Sequence, residues 1–169
     1  MNVNDIFEVT ITVQESDTAI AHKSGGLPVY ATPAMIALME NAAFMLLKND
    51  GKDSVGTEMN VKHTRACLVG TEVTAKATVT SINGNWVNFN VVATDGKGEI
   101  GNGVHTRYII DAEKFMNKLS KMKELDADIA KWETEVETLI GETNILVFAQ
   151  SNDIDDGKEP YYNGTKKVK

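Results

Sequence analysis

The chain has 169 residues, 42% of them hydrophobic, and a formal net charge of −7. That length suits one ordinary domain with a core of its own and room for an appendage. The acidity argues against a general nucleic-acid binder, and without a run of 18 apolar residues no membrane-spanning helix is expected.

The opening Met1-Asn2-Val3-Asn4-Asp5 lacks the basic and apolar regions of a secretory signal, and the single Cys67 allows no intrachain disulfide. A cytoplasmic protein is therefore expected. The charge is uneven. Residues 1–122 carry 11 Lys/Arg and 13 Asp/Glu, and residues 123–169 carry 6 and 11. The main body is thus nearly neutral and able to take an anionic ligand, while the acidic excess sits in the C-terminal part.

Residues 6–13 are β-rich and predict a first strand. A turn-like Ser24-Gly25-Gly26-Leu27-Pro28 leads to the best helix signal of the chain. There Thr32 is an N-cap type, Pro33 fits the first helical position, Ala34 to Lys48 lacks Gly and Pro, and Asn49-Asp50-Gly51 stops the run. Apolar residues lie nearly all round this helix, so it is expected to be wrapped by its own protein.

Four strands follow. In the first, Val55, Thr57, Met59, Val61 and His63 alternate with a polar set, Gly56 to Thr64. Val73 to Ile82, Trp86 to Thr94 and Ile100 to Ile110 are the others, joined by Asn83-Gly84-Asn85 and Asp95-Gly96-Lys97-Gly98. Short links between consecutive strands make an antiparallel sheet, and one apolar helix beside such a sheet predicts an α+β layer pair.

Asp111 can cap a second helix over 111–140. Its apolar residues, Phe115, Leu119, Met122, Leu125, Ile129, Trp132, Val136 and Leu139, recur at steps of three or four, close to a heptad seam. Such a seam is expected to pack within its own dimer or on a partner helix. Ile145 to Phe148 reads as a short strand, and Ser151 to Lys169 as a polar tail. The expected division is a domain over 1–122 and an acidic helical extension over 123–169.

Several side chains invite a chemical reading. Glu40 lies among Ile36, Ala37, Ala43 and Phe44, where partial desolvation raises a carboxylate's pKa and suits it to act as base or nucleophile; a structural carboxylate bonded to backbone is the plainer alternative. His63 stands on the apolar face of its strand, as a core histidine or as a general acid/base. Thr32 has a complete role as a cap, yet a helix N-terminus is also an oxyanion site. Arg107 lies two residues from His105 on one strand face, as an ion-pair partner or a ligand contact. Lys62 and Arg65 flank His63 as solvated charges or phosphate contacts. The histidines at 22, 63 and 105 do not have metal-site spacing, so no metal is expected. Cys67 has no adjacent base and reads as structural.

Two segments carry a resemblance. Tyr30-Ala31-Thr32-Pro33-Ala34-Met35-Ile36-Ala37-Leu38-Met39-Glu40-Asn41-Ala42-Ala43 resembles the central-helix signature of the fluoroacetyl-CoA thioesterase-like family. Val55-Gly56-Thr57-Glu58-Met59-Asn60-Val61-Lys62-His63 resembles its next strand. The likeness covers roughly residues 5–115. It implies a hot-dog fold, in which an antiparallel sheet wraps a long central helix, a homodimer or higher oligomer, and hydrolysis of a short acyl-CoA thioester. It places the family's functional threonine, glutamate and histidine on Thr32, Glu40 and His63, and two site-lining residues on Gly56 and Arg107. No cofactor is implied, since CoA is part of the substrate. The alternative is a non-catalytic acyl-CoA sensor signalling through the C-terminal helix; a dehydratase is disfavoured because its Asp-to-His pattern is missing.

The family also implies that the strand after the central helix pairs with its own copy. Thr32 and Glu40 are eight residues apart, about 12 Å of helical rise, so each site is expected to draw on both subunits. A self-pairing centred between Met59 and Asn60 sets Gly56 opposite His63 of the other chain.

Overall fold

The computed structural model describes residues 1–152, with side chains to residue 141. The elements in chain order are β1 (Ile6–Thr12), a 3₁₀ turn (Glu15–Asp17), α1 (Thr32–Asn49), β2 (Asp53–His63), β3 (Glu72–Asn83), β4 (Trp86–Thr94), β5 (Glu99–Ile110) and α2 (Ala112–Asn152). The strands form one antiparallel sheet in the order β1-β3-β4-β5-β2, which leaves β1 and β2 at its edges. The α+β reading is therefore correct.

The core lies between α1 and one face of the sheet. Val73, Ala75, Ala77 and Val79 of β3 and Val87, Phe89, Val91 and Ala93 of β4 are all buried at every second position, as strands with one covered face require. Opposite them α1 buries Met35, Leu38, Met39, Ala42, Ala43, Leu46 and Leu47. Gly101 of β5 makes room for this helix, since a Cβ there would lie 2.6 Å from Met35 Sδ. The helix is not wrapped all round within one chain: Pro33, Ala37 and Asn41 are exposed, and Ile36, Glu40 and Phe44 half-buried. A single layer of sheet covers only the stripe turned toward it.

Two local expectations need correction. Ala31, not Thr32, is the N-cap, and no side chain caps the helix; Thr32 is its first residue, and its hydroxyl is engaged elsewhere. Residues 145–148 lie in α2 rather than in a strand, because a short apolar run carries no period that separates the two. Asp111 does cap α2, accepting from the Lys114 amide at 3.0 Å.

The chain forms two compact units, Met1–Phe115 and a second beginning at Met116. That division and the expected 122/123 boundary both fall within α2. Among the described residues no helix is long and apolar enough to cross a membrane.

Candidate active site

The approach to α1 is strapped in place by backbone bonds. Tyr30 N donates to Cys67 O at 2.8 Å, Ala31 N donates to Asp17 O at 2.9 Å, and Val29 bridges to Leu68. This fixes the direction in which the first turn starts and presents Thr32 to the end of β2. Thr32 Oγ1 and His63 Nδ1 are hydrogen-bonded at 2.9 Å. Both line an open cavity of about 290 Å³, together with Tyr30, Ser24, Thr64 and Arg65. Burial holds the His63 imidazole below its ordinary pKa, with a smaller opposing effect from the Arg65 backbone. Its Nε2 is buried without a protein partner among the described residues, as is the hydroxyl of Tyr30, whose ring meets His63 edge-on at 6.3 Å. A neutral imidazole with one nitrogen on a hydroxyl and the other unpaired is equipped to take up a proton.

The second group of side chains gathers on Glu40, two turns along α1. Its Oε1 lies 3.9 Å from both Arg107 Nη1 and His105 Nε2. Arg107 is buried, donating from Nε to Ser54 Oγ at 2.9 Å and from Nη2 to Ser54 O at 3.0 Å, and its guanidinium lies 5.7 Å from the Phe44 ring centre. His105 Nδ1 lies 2.7 Å from Glu58 O, and its Nε2 3.3 Å from Arg107 Nη1. A carbonyl only accepts and a guanidinium only donates. His105 therefore carries its proton on Nδ1 and is neutral, in keeping with a pKa lowered chiefly by burial. Without an imidazolium beside it, Glu40 owes its positive neighbour to Arg107 alone. Gly56 closes the arrangement: a Cβ there would collide with Glu40 Oε1 and approach His105 Cε1 to 3.2 Å. Only glycine lets the carboxylate lie against the strand.

The five residues singled out from the sequence thus form two groups, Thr32 with His63 and Glu40 with Gly56 and Arg107. Along β5 the partners of His63 and Gly56 are Gly101 and Arg107, six residues or roughly 20 Å apart. Both groups nevertheless face α1. The reason is a bulge: Gly56 pairs with Arg107 and Glu58 with Thr106, leaving Thr57 as the extra residue. Ahead of the bulge, Ser54 and Gly56 point to the helix; beyond it, Met59, Val61 and His63 do. The uninterrupted alternation from Val55 to His63 is corrected accordingly.

His105, Tyr30 and Ser54 also belong to this architecture, beyond the five residues expected from the sequence. For His105 the signal was present, since it stands two residues from Arg107 on the same strand face. Arg65 makes a two-pronged pair with Asp95, 2.7 Å on one side, which holds that carboxyl at about 2; its charge is committed to the protein. Cys67 is buried, with its thiol pKa pushed up by that burial. Among the described residues no three His, Cys, Asp or Glu side chains are placed to hold a metal ion.

Comparison with known proteins supplies the family. The family described as fluoroacetyl-CoA-specific thioesterase matches residues 13–113. The fluoroacetyl-CoA thioesterase of Streptantibioticus cattleyicolor is 39% identical over 94 residues, which is 54% of this chain and 68% of that protein. A solved structure of fluoroacetyl-CoA thioesterase superposes with a TM-score of 0.67 at 33% identity, covering 72% of this chain and 96% of the other. A threonine-to-serine variant in complex with acetyl-CoA gives 0.68 at 31% identity, covering 72% and 98%. A thioesterase superfamily member from Thermus thermophilus, 24% identical, shares the fold with a TM-score of 0.67 over 73% of this chain and 93% of its own. This chain belongs to the fluoroacetyl-CoA-specific thioesterase family and is a thioester hydrolase of the hot-dog fold.

Proposed function

We propose that the protein hydrolyses a short-chain acyl-CoA thioester at sites shared between two copies of the chain. Glu40 serves as nucleophile or water-activating base, His63 as proton carrier and Thr32 as its hydroxyl partner. The observation that carries this reading is the division of the site. Thr32 and His63 meet at one end of β2, while Glu40, Gly56 and Arg107 meet at the other. The two ends are too far apart to act on one carbonyl carbon.

The free edge of β2 offers a way to join them. Residues directly opposite in an antiparallel pair share a face. A symmetric pairing that keeps both helices on one side of a continuous sheet therefore centres on a residue, not between two, which rules out the Met59/Asn60 midpoint. Centred on Asn60, the pairing sets Met59 against Val61 of the other chain. The extra residue at Thr57 then brings Gly56 level with His63 of the other chain. The half-exposed Ile36, Glu40 and Phe44 side of α1 supports a second copy lying there.

In this arrangement Glu40 approaches the thioester carbonyl, or a water beside it, within the field of Arg107. If Glu40 attacks, an acyl-Glu40 anhydride forms as the CoA thiolate leaves, and water then cleaves it. If Glu40 acts as base, water attacks directly. In both routes His63 carries the proton and the thiol and the free acid are the products. A short acyl group matches the small cavity beside Thr32 and the acetyl-CoA bound by the solved relative.

The test mixes Glu40→Gln and His63→Ala subunits, each inactive alone, and measures thiol release from acetyl-CoA by verified heterodimers. Recovery of about half the wild-type rate per dimer is expected, because one of the two sites is then intact. No recovery would place Glu40 and His63 in the same site half. Trapping an acyl-Glu40 adduct distinguishes nucleophile from base.

A further inference from the structure

We propose that α2 is a self-recognition element, which pairs antiparallel with α2 of a second copy of this chain. From Phe115 onward it presents an apolar seam with a seven-residue repeat: Phe115, Met122, Ile129 and Val136 in one row, Leu125 and Trp132 in the other. These two rows are the a and d positions of a coiled coil. The side chains are exposed, Ile129 by 50% and Trp132 by 71%, and a contiguous apolar strip of this kind marks an interaction surface.

Charge identifies the occupant and its direction. Between residues 112 and 123 the helix carries four lysines against Glu113; between 124 and 141 it carries six carboxylates against Lys131. A parallel, in-register pair would stack lysine on lysine and carboxylate on carboxylate along its whole length. Turning one copy round brings the basic segment of each against the acidic segment of the other, leaving like charges facing only near the centre. An anionic membrane surface is disfavoured by the same acidic segment.

The seam alone allows registers one heptad apart, and charge selects among them, because Ile129 of one copy against Trp132 of the other would set Asp128 beside Glu135. When Met122 of one copy faces Trp132 of the other, Leu125 faces Ile129 and Phe115 faces Leu139, while Val136 packs on the aliphatic stem of Lys118, the one charged residue in the two rows. Lys121 then flanks the seam beside Glu135 of the other copy, and Asp128 approaches its own counterpart at the centre. Pairing in this way buries Trp132 and Ile129 together with their neighbours, the central large side chains on which an interface of this kind depends.

The test uses the full chain. Under oxidation, Asp128→Cys is expected to give a disulfide-linked dimer and Met122→Cys is not, because residue 122 meets its own copy only in a parallel pair. Buried Cys67 stays unreactive in the unsubstituted control. Sedimentation then reads affinity: Ile129→Glu is expected to weaken the α2-dependent association by roughly tenfold or more. Lys121→Glu and Glu135→Lys each weaken it, and the double variant restores it. Crosslinking through Met122→Cys alone would overturn the antiparallel arrangement. Association unchanged by Ile129→Glu, with neither cysteine crosslinking, would overturn self-pairing and leave the seam to a different partner.

Discussion

The two groups of candidate site side chains are held in different ways. At Thr32 and His63 the backbone is tightly strapped, through Tyr30, Ala31 and their partners, while the side chains share one hydrogen bond and border an open cavity. At Glu40 the backbone is ordinary helix, and the surroundings are interlocked. Glu58 O orients His105, His105 accepts from Arg107, Arg107 is anchored on Ser54, and Gly56 leaves no spare space. The first group can tolerate small changes of side-chain position; in the second the residues around Glu40 are fixed while the half-exposed carboxylate lies against them. A proton carrier has to move between partners, whereas an attacking or water-activating carboxylate has to be aimed.

Substitutions can break or sharpen this contrast. The largest effect is expected from Glu40→Gln, with thioesterase kcat falling by about 10²–10⁴-fold and the melting temperature little changed, because the Glu40 side chain is 41% exposed. Turnover close to wild type would remove Glu40 from the chemistry. Gly56→Ala comes next: the added methyl group would push the Glu40 carboxylate aside and press on His105, so activity should drop at least roughly tenfold, with a stability loss of only about 1 kcal/mol because the half-exposed carboxylate end can move. An active, unperturbed Gly56→Ala protein would show that the tight approach is dispensable. Thr32→Val should cost about tenfold in kcat, since it removes the hydroxyl from His63, whereas Thr32→Ser keeps the bond and most of the rate. Equal rates for the two would mean that the hydroxyl is idle.

The smallest effect is on stability against pH. Burial lowers the pKa of both His63 and His105 below the ordinary 6.5. As pH falls through 6.5 the unfolded chain takes up these protons first, so stability declines between 6.5 and the lower folded-state values and is unaffected by these groups above 6.5. Melting curves from pH 7.5 to pH 5 should show this decline, flattened in His105→Gln; an unchanged slope would mean that His105 does not titrate differently on folding.

Much of this was legible in the residues. The alternation of β3 and β4 follows one-sided burial, and β4 falls at Trp86–Thr94 as its sequence indicates. Gly84, with φ of 59°, makes the turn that Asn83-Gly84-Asn85 announces. Glu40, His63 and Thr32 stand out as candidates through chemistry and through family likeness together. Two features are less legible. Thr32 carries a cap-type side chain, and local propensity says nothing of a histidine arriving from 31 residues away. The bulge at Thr57 has only a weak mark, the isolated Gly56 within the strand pattern, which fits a bulge or a close backbone approach alike. A strict period of two runs past the point where the chain abandons it and assigns Val55 and Gly56 each to the other's face.

That single extra residue makes β2 far more sensitive to deletion than to substitution. Replacing Thr57 alters one outward side chain, whose hydroxyl bonds Thr106 O at 3.1 Å. Removing it would rotate everything upstream by one step, turning Ser54 and Gly56 away from the helix and leaving Arg107 and Glu40 without their supports. In a comparison of related chains, a one-residue gap at this position would therefore carry more functional information than a change of residue type at most others. Sequences lacking the extra residue should be sorted apart even where their threonine, glutamate and histidine are retained.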